Sequence, residues 1–215
     1  GAIFNQLDIK YEVVFTTDRS DLPFDEDFEC GIYLDETMLY FPKYKKYLAV
    51  AGLGNRYGFP PTSYTNNYGY FTRFLEVGGL KSGVGKTKFI EPVSADQTMD
   101  EFTVELDLEF LPMCNAELTK KLTGYDALMY QTIIGLLDEE SKEEFTEQIV
   151  KYIDEDMEIV EMELKNTDAQ DAGVKPLLVD ATFTSDIFVQ KAGNNYLINV
   201  GKMIGPQSEM YEDEE

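Results

Sequence analysis

Residues 102–110 read Phe-Thr-Val-Glu-Leu-Asp-Leu-Glu-Phe, an unbroken alternation of apolar and polar side chains. Successive side chains of a β-strand point to opposite faces of the sheet, so a period of two predicts a strand with one buried and one solvated face. Solvation of one face is common in antiparallel sheets and rare in parallel ones. This stretch therefore favours an antiparallel sheet that is covered on one side.

Two helices are predicted after this strand, because apolar residues then recur at helical spacing. Asp138 and Ser141 mark the start of the second helix. The first apolar stripe consists of Tyr125, Leu128, Met129, Ile133, Leu136 and Leu137, and the second of Phe145, Ile149, Val150 and Ile153.

Three more strands are predicted behind the helices from the same period-two pattern. Their apolar positions are Val160, Met162 and Leu164, then Leu177, Val179, Ala181 and Phe183, then Tyr196, Ile198 and Val200. The order of one strand, two helices and three strands predicts an α+β domain. Its two helices should lie on one face of an antiparallel sheet.

The first half of the chain predicts a helix tail at residues 3–8, followed by short strands. Residues 11–17, 37–41 and 46–51 are rich in β-branched and aromatic side chains, which favour strands. Residues 18–29 form a predicted acidic loop, and residues 52–69 are irregular, with many Gly, Pro, Asn and Tyr residues. Residues 70–77 are expected to pair with 86–93 as a hairpin. We expect two domains, 1–88 and 89–215.

The net charge of −23 is concentrated in the second of these domains. Residues 1–88 hold 11 acidic and 10 basic residues, whereas residues 89–215 hold 30 acidic and 8 basic ones. Binding of nucleic acid or of an anionic membrane surface requires clustered Lys and Arg, so the second domain has the wrong sign for either. Its acidity indicates a solubilising surface or, as the sharper alternative, divalent-cation binding.

The chain contains no histidine, which excludes several kinds of active site. Neither a Ser-His-Asp nor a Cys-His site can be built from it, and neither can a His-ligated metal centre. Cys30 and Cys114 cannot form a thiolate zinc site alone, and their spacing does not decide whether they form a disulfide. We therefore expect no cofactor and no bound metal.

The chain also lacks an apolar run long enough to span a bilayer, so we expect no membrane insertion. It opens Gly1-Ala2-Ile3 without Met. We expect that Gly1 is the scar of a cleavage and that the sequence is cut from a longer protein.

Three short motifs mimic known sites and have simpler interpretations. Gly83-Val84-Gly85-Lys86-Thr87 resembles the end of a phosphate-binding loop, but Leu80 stands where that loop needs a glycine, so a glycine-rich hairpin is predicted. Asp25, Asp27 and Glu29 resemble the opening of a calcium loop, but Cys30 takes the slot of the required glycine. The acidic cluster of Asp154, Glu155, Asp156 and Glu158 indicates an exposed turn, with calcium binding as the alternative.

An aromatic group in the irregular segment is a candidate ligand surface. Tyrosine offers a flat apolar ring and a hydroxyl, which suit a peptide or a sugar ring. The alternative is that these rings pack the segment onto the sheet. The candidate residues are Tyr57, Phe59, Tyr64, Tyr68 and Tyr70, with Phe71 beside them.

With Tyr40-Phe41-Pro42 and Tyr47-Leu48-Ala49 placed, the first half resembles the back half of a transglutaminase-like domain. In that superfamily a Cys nucleophile begins a helix, a His follows on a strand in an Asn-His context, and an Asp completes the triad in a Tyr-Leu-Asp-Pro-Thr turn. The closest resemblance is to large bacterial envelope proteins that append a β-rich domain. Matching segments are 4–9, 11–15, 57–61, 67–69 and 191–207.

This chain departs from the family at both triad positions that it covers. Asp35-Glu36 stands where Asn-His is expected, so Glu36 replaces the base, and Ala49 replaces the acid. A glutamate with a reference pKa of about 4.3 is a far weaker base at neutral pH than histidine. Glu36 and Ala49 are therefore vestigial positions, and we expect them close together on neighbouring strands.

The sequence thus predicts a degenerate, partial transglutaminase-like sheet followed by an acidic α+β domain. The expected function is a non-catalytic binding or structural module of the bacterial envelope, with a protein, peptide or glycan as partner and no nucleic acid. The resemblance implies an extracytoplasmic location. One alternative is a fragment of a cysteine peptidase or transglutaminase whose nucleophile lies upstream, and a second is a calcium-dependent adhesion module.

Overall fold

The computed structural model describes residues 2–27 and 31–204. The chain divides into two compact units, Gly1–Thr98 and Met99–Glu215, which are described separately. The boundary expected after residue 88 falls inside the last strand of the first unit, which continues to Ile90. Residues 91–98 follow it as an exposed segment and belong to the first unit.

The fold class is α+β with antiparallel sheets, as the sequence predicted. Three α-helices are described: α1 (Ala2–Gln6), α2 (Gly124–Ile134) and α3 (Glu139–Lys151). The strands of the first unit are β1 (Glu12–Thr16), β2 (Glu36–Phe41), β3 (Lys46–Ala49), β4 (Asn67–Val77) and β5 (Leu80–Ile90). Those of the second unit are β6 (Asp100–Asp107), β7 (Cys114–Leu122), β8 (Glu158–Lys165), β9 (Leu177–Ser185), β10 (Val189–Ala192) and β11 (Asn195–Ile198).

The first unit is built on one five-stranded antiparallel sheet with the order β3-β2-β1-β4-β5. Because side chains alternate along each strand, the sheet has two distinct faces. One face, here called the Val14 face, carries the buried cluster of Val14, Met38, Ala49, Phe71 and Ile90. The opposite face, here called the Phe41 face, carries Leu39, Phe41 and Leu48 of β2 and β3, together with Tyr68 and Tyr70 of β4.

A buried polar network ties the loop after β1 to the start of β4. Asn67 is buried, and its side-chain nitrogen donates to the carbonyl and the hydroxyl of Thr17, at 3.2 Å each. Its side-chain oxygen accepts from the backbone N–H of Phe24 at 3.1 Å. Thr16 donates to the carbonyl of Tyr68 at 2.7 Å. Since buried polar groups are costly unless paired, this network fixes the path of the loop.

The expected hairpin in the first unit forms with a different register. β4 and β5 are joined by a two-residue turn at Gly78-Gly79, both at positive φ, so β5 begins at Leu80 instead of residue 86. A two-residue turn with positive φ at both positions matches the twist of the flanking strands. Gly83 to Thr87 therefore lie within a strand, which confirms the glycine-rich hairpin predicted for the phosphate-loop mimic.

The second unit packs α2 and α3 onto one face of a four-stranded sheet with the order β6-β7-β9-β8. The alternation predicted for residues 177–183 is confirmed, because side chains of β9 alternate between buried and half-exposed along the whole strand. Asp138 caps α3, and its side chain accepts from the backbone N–H of Ser141 at 2.9 Å. This bond lowers the pKa of the Asp138 carboxyl.

Strand β7 was missed by the sequence analysis. Its inward positions include Cys114, Ala116 and Leu118, but they also include Lys120, whose ammonium pairs with Asp100 at 3.0 Å. The small alanine and the inward lysine hide the period of two. β7 also occupies a central position between β6 and β9, which only the tertiary pairing reveals.

Three other strand predictions need correction. The strand predicted over residues 102–110 ends at Asp107, and Leu108 and Phe110, expected on its buried face, are exposed. Val160 was expected to face the core of the second unit, but a register shift between Ile159 and Glu161 leaves it 71% exposed. Tyr196 and Ile198 were expected to close the main sheet, whereas β11 pairs with β10 in a separate two-stranded sheet. Val200 lies in a short 3-10 helix, Val200–Ile204. Among the described residues no helix is long and apolar enough to cross a membrane.

Candidate functional site

Glu36 and Ala49, the positions at which the resemblance predicts a vestigial triad, lie on neighbouring strands of the first sheet. Ala49 of β3 pairs directly with Met38 of β2, and Glu36 lies two residues before Met38. Glu36, Met38 and Ala49 therefore share the Val14 face. A diagonal offset of two residues between paired strands corresponds to a Cα separation of about 7–8 Å, as expected for the two positions.

Tyr64 fills the space beside these positions. Its ring packs against the buried cluster that contains Ala49, which is itself only 5% exposed. Burial raises the pKa of the Tyr64 hydroxyl, and the hydrogen bond that it donates to Glu36 raises it further. Glu36 is thus held as a hydrogen-bond acceptor. No side chain at these positions supplies an imidazole or a second carboxylate to orient one.

Tyr64 is positioned by a short 3-10 helix, Thr62–Tyr64, that is fastened to the loop after β1. Ser63 donates from its hydroxyl to the carboxylate of Asp18 at 2.7 Å, and this bond is the main cause of the lowered pKa of Asp18. Arg19 donates from its side chain to the carbonyl of Thr65 at 2.9 Å. These hydrogen bonds join residues that are 45 and 46 positions apart in the sequence, so local sequence patterns give no sign of them.

The five aromatic residues of the predicted ligand surface do not form one surface. Tyr64 packs on the Val14 face, whereas Tyr68 and Tyr70 lie on the Phe41 face. Tyr68 contacts the ring of Phe89 edge-on at 5.3 Å between centroids. Tyr70 lies across Gly85, where an added Cβ would overlap its ring. Phe59 is half-buried, and its backbone forms an isolated antiparallel bridge with that of Arg56.

Tyr57, the remaining member of that group, lines a cavity of about 460 Å³ that we call the apolar pocket. Three of its rings form a chain of contacts, with centroids 5.2 Å apart for Phe4 and Phe41 and 5.3 Å apart for Phe41 and Tyr57. Tyr44 contacts Tyr57 at 6.5 Å. The lining residues are Phe4, Ile9, Phe41, Tyr44, Lys46, Leu48 and Tyr57.

Local backbone features bring these residues together. Two residues after the end of α1, Asp8 has a φ of 52°, and the backbone N–H of Ile9 donates to the carbonyl of Phe4 at 2.8 Å. This helix-ending arrangement turns Ile9 back beside Phe4. On the other side, Gly58 has a φ of 92° and donates its N–H to Tyr47 of β3 at 2.8 Å, which holds Tyr57 against the sheet.

Three lysines lie at the β2–β3 turn beside the apolar pocket: Lys46, the first residue of β3, lines the pocket, and Lys45 lines the second cavity described below. The ammonium of Lys43 lies 5.1 Å from the ring centroid of Tyr44, and that of Lys46 lies 5.6 Å from that of Tyr57. Lys45 occupies the turn with a φ of 53°. Within residues 2–27 and 31–204, none of these three lysines makes an ion pair.

A second cavity of the first unit, about 440 Å³, is lined by Lys45, Lys46 and Lys88, and only Lys88 has an ion-pair partner within the described residues. Its floor is formed by the rings of Tyr40, Tyr47 and Phe71, with Tyr40 and Tyr47 4.8 Å apart. Lys88 lies 4.6 Å from the ring centroid of Phe71 and pairs with Glu12 at 2.6 Å. Burial raises the pKa of the Tyr47 hydroxyl. The lysine of the chain itself thus occupies the place that a bound cation would take over these rings.

The acidic motifs have structural partners of their own. The carboxylate of Asp154 accepts from the hydroxyl of Ser185 at 2.6 Å and from the N–H of Asp156 at 3.1 Å, which fixes the turn after α3 to the end of β9. Asp25 accepts from the N–H of Asp27 at 2.9 Å, while Glu29 lies outside the described residues. No group of three or more Asp, Glu, Cys or His side chains that could hold a metal ion occurs in the described part of the chain.

Cys114 is not part of the apolar pocket. Cys114 is a free cysteine buried in the core of the second unit, and burial raises the pKa of its thiol. A raised thiol pKa lowers nucleophilicity at neutral pH. Cys30 lies outside the described residues.

The sequence analysis missed Phe4, Phe41, Tyr44 and Leu48 as members of a site. Each was treated as part of a helix, strand or turn, and no local pattern joins residue 4 to residues 41 and 57. One signal was available: residues 37–75 hold five basic residues and no acidic one, in a chain with 41 acidic residues. This 39-residue stretch contains the three lysines beside the apolar pocket.

Comparisons of the chain with protein-family models, with curated proteins and with solved structures gave no match in any of the three. The geometry of the first unit therefore carries the functional conclusion.

Proposed function

We propose that this chain is a non-catalytic binding module whose first unit captures an apolar side chain of a protein or peptide partner. The apolar pocket is the observation that carries the proposal. Its volume of about 460 Å³ lies within the usual range for ligand sites, and its lining is almost entirely aromatic and aliphatic. Tyr57 is 41% exposed at its mouth, so the pocket opens to solvent.

The absence of catalysis is supported by residues and by geometry. The chain has no histidine, and the thiol of Cys114 is buried. At the positions where the resemblance expects a base and an acid, Glu36 is tied to Tyr64 and Ala49 is part of the core. An activated nucleophile needs a base within hydrogen-bond reach, and neither position carries a histidine.

A peptide fits the apolar pocket better than a glycan does. Sugars carry several hydroxyls that must find partners when they leave water, and an unpaired buried polar group is costly. The lining offers only the hydroxyls of Tyr44 and Tyr57 and the ammonium of Lys46 as polar groups. A phenyl, phenol or branched aliphatic side chain needs no such partners. The bacterial envelope remains our proposed location, and it rests on the family resemblance alone.

The test is an NMR titration of the full chain with N-acetyl-phenylalaninamide, with N-acetylglucosamine in a parallel experiment. We expect saturable shifts at Phe4, Leu48 and Tyr57 with the amide, and their loss in Tyr57→Ser. Burying one such side chain stabilises a complex enough to change the dissociation constant by about tenfold or more. Tyr196→Ser, at an exposed position on β11, is the matched control and should bind like the wild type.

Two results would overturn this proposal. Saturable shifts with the sugar but none with the amide would make the site a glycan site. Shifts with the amide that leave Phe4, Leu48 and Tyr57 unmoved would place binding elsewhere.

A further inference from the structure

Three exposed lysines lie beside the apolar pocket. Lys43 and Lys45 lie in the β2–β3 turn, and Lys46 begins β3 and lines the pocket. Seven other lysines of the described residues have carboxylate partners, including Lys88 in the neighbouring cavity and Lys120 in the second unit. Within the described residues Lys43, Lys45 and Lys46 have no such partner, as is also true of Lys191 and Lys202.

The long stretch of sequence around these lysines contains no acidic residue. No Asp or Glu occurs between Glu36 and Glu76, although the chain as a whole has a net charge of −23. Arg56 and Arg73 add two more positive charges to this stretch. Random placement of 41 acidic residues rarely leaves such a gap. The pocket residues from Phe41 to Tyr57 therefore lie in a stretch of sequence whose only charges are positive.

The lysines also suit a ligand that enters the apolar pocket. The stem of Lys46 lies against Gly58, where an added Cβ would meet its Cδ at 3.2 Å, and this stem forms part of the lining. Its ammonium remains at the rim over the ring of Tyr57. Long basic side chains commonly place apolar stems on a surface and keep their charge in water. The site thus combines an apolar interior with a cationic rim.

We propose that the apolar pocket selects an acidic peptide segment in which one aromatic or branched aliphatic residue is flanked by Asp or Glu. This inference rests on the proposed function and names its partner class. An extended peptide rises about 3.3 Å per residue, so carboxylates one or two residues from the anchor lie about 3–7 Å along the chain, within reach of lysine side chains at the rim. Complementary charge at a rim raises the association rate and the selectivity.

A peptide is favoured over a polynucleotide by the interior of the pocket. Its aromatic and aliphatic lining takes an apolar amino-acid side chain, which a polynucleotide lacks.

The test compares three blocked pentapeptides binding to the full chain by calorimetry or NMR. One is Glu-Glu-Tyr-Glu-Glu, the second is Ser-Ser-Tyr-Ser-Ser and the third is Glu-Glu-Gly-Glu-Glu. We expect the first to bind about tenfold more tightly than the second at 20 mM NaCl, because two or more exposed ion pairs add modestly to affinity. This advantage should shrink toward equality at 300 mM NaCl, where such charges are screened.

Lysine variants locate the effect. Lys43→Gln/Lys45→Gln should remove most of the preference for the acidic peptide and leave the affinity for Ser-Ser-Tyr-Ser-Ser unchanged, since Lys46 and the pocket lining are retained. Lys191→Gln/Lys202→Gln removes the same charge from the second unit and should leave both affinities as they are.

The possible failures of the two proposals are distinguishable. Equal binding of the acidic and neutral tyrosine peptides overturns the charge selection and leaves the apolar pocket in place. Equal binding of Glu-Glu-Tyr-Glu-Glu and Glu-Glu-Gly-Glu-Glu overturns the anchor pocket itself, and with it the proposed function. Equally tight binding of an oligothymidylate with the same number of charges overturns peptide selection in favour of a general polyanion site.

Discussion

Tyr64 fills the space beside Glu36 and Ala49, the two positions that the family resemblance interprets as a vestigial triad. Its ring packs beside Ala49 and its hydroxyl donates to Glu36. A tyrosine that fills this space stabilises the sheet core and at the same time removes room for a reacting group. Residue identity at 36 and 49 was readable from the sequence, but the role of Tyr64 was not. It was grouped with Tyr57 as a ligand residue, and it lies on the opposite face of the sheet.

A half-buried tyrosine, Tyr125, makes the stability of the folded chain depend on pH in the alkaline range. Burial raises the pKa of Tyr125 to about 12 from an ordinary value of 10.0. In the unfolded chain this hydroxyl ionises near pH 10, whereas in the folded chain it keeps its proton until about pH 12. Its contribution to stability is therefore complete below pH 10 and is lost as the pH rises toward 12.

We predict that Tyr125→Phe flattens the alkaline decline in stability. Between pH 9 and pH 11 the wild type should lose about 1 kcal/mol more of its free energy of unfolding than this variant does. Urea unfolding at pH 9, 10 and 11 measures the difference. Tyr196→Phe, on the exposed β11 strand, is the control and should follow the wild type. Parallel declines for wild type and Tyr125→Phe would contradict the assignment.

At the scale of single elements, three glycines of the β4–β5 hairpin differ in how closely other atoms surround them. Gly69 lies on the Val14 face, where an added Cβ would approach Val14 and Ile90 within 2.8 Å. Gly85 lies on the Phe41 face beneath the ring of Tyr70. At Gly83, also in β5, an added Cβ would have no heavy atom within 4 Å.

We predict a graded response when each of these three glycines is replaced by alanine. Gly69→Ala should destabilise the chain by about 2–3 kcal/mol, because the core must open around the new methyl group. Gly85→Ala should cost about 1 kcal/mol, because the half-exposed Tyr70 ring can swing into solvent. Gly83→Ala is the matched control and should change stability by less than about 0.5 kcal/mol. Urea midpoints rank the three variants, and a different order would show that the packing around β4 and β5 is misassigned.

At the scale of the whole molecule, net charge differs strongly between the two units. Gly1–Thr98 holds 13 acidic and 10 basic residues, whereas Met99–Glu215 holds 28 acidic and 8 basic ones. Self-repulsion of this kind destabilises a compact state and is weakened by salt. The two units should therefore respond differently to ionic strength.

We predict that raising NaCl from 20 to 300 mM stabilises the second unit selectively. Hydrogen exchange of the full chain, followed by mass spectrometry, resolves the two units in one sample. Exchange in β7 and β9 should slow severalfold, since screening relieves repulsion among the acidic side chains. Exchange in β1 and β2 serves as the internal control and should change little. An equal change in both units would show that repulsion within the second unit is not what limits its stability.

The sequence by itself determined the α+β class, the existence of the two helices of the second unit and the pattern of strand β9, but not the buried face of α2, because Met129 and Ile133 of its predicted apolar stripe are exposed. The features that it determined depend on periodicity within one segment, because the spacing of apolar residues distinguishes a helix from a strand. Asp138 was readable as the start of α3 for the same reason, since a cap acts on the backbone three residues away. The excess of negative charge and the lack of histidine were likewise fixed before any fold was known.

Tertiary structure alone decided the position of β7, the separation of Tyr57 from Tyr64, and the apolar pocket. β7 has a weak local pattern and is a strand because β6 and β9 pair with it on both sides. The pocket joins Phe4, Phe41 and Tyr57, which are distant in sequence and meet through sheet pairing and the turn after α1. Contacts of this range depend on strand register, and a shift of one residue moves every side chain of a strand to the other face.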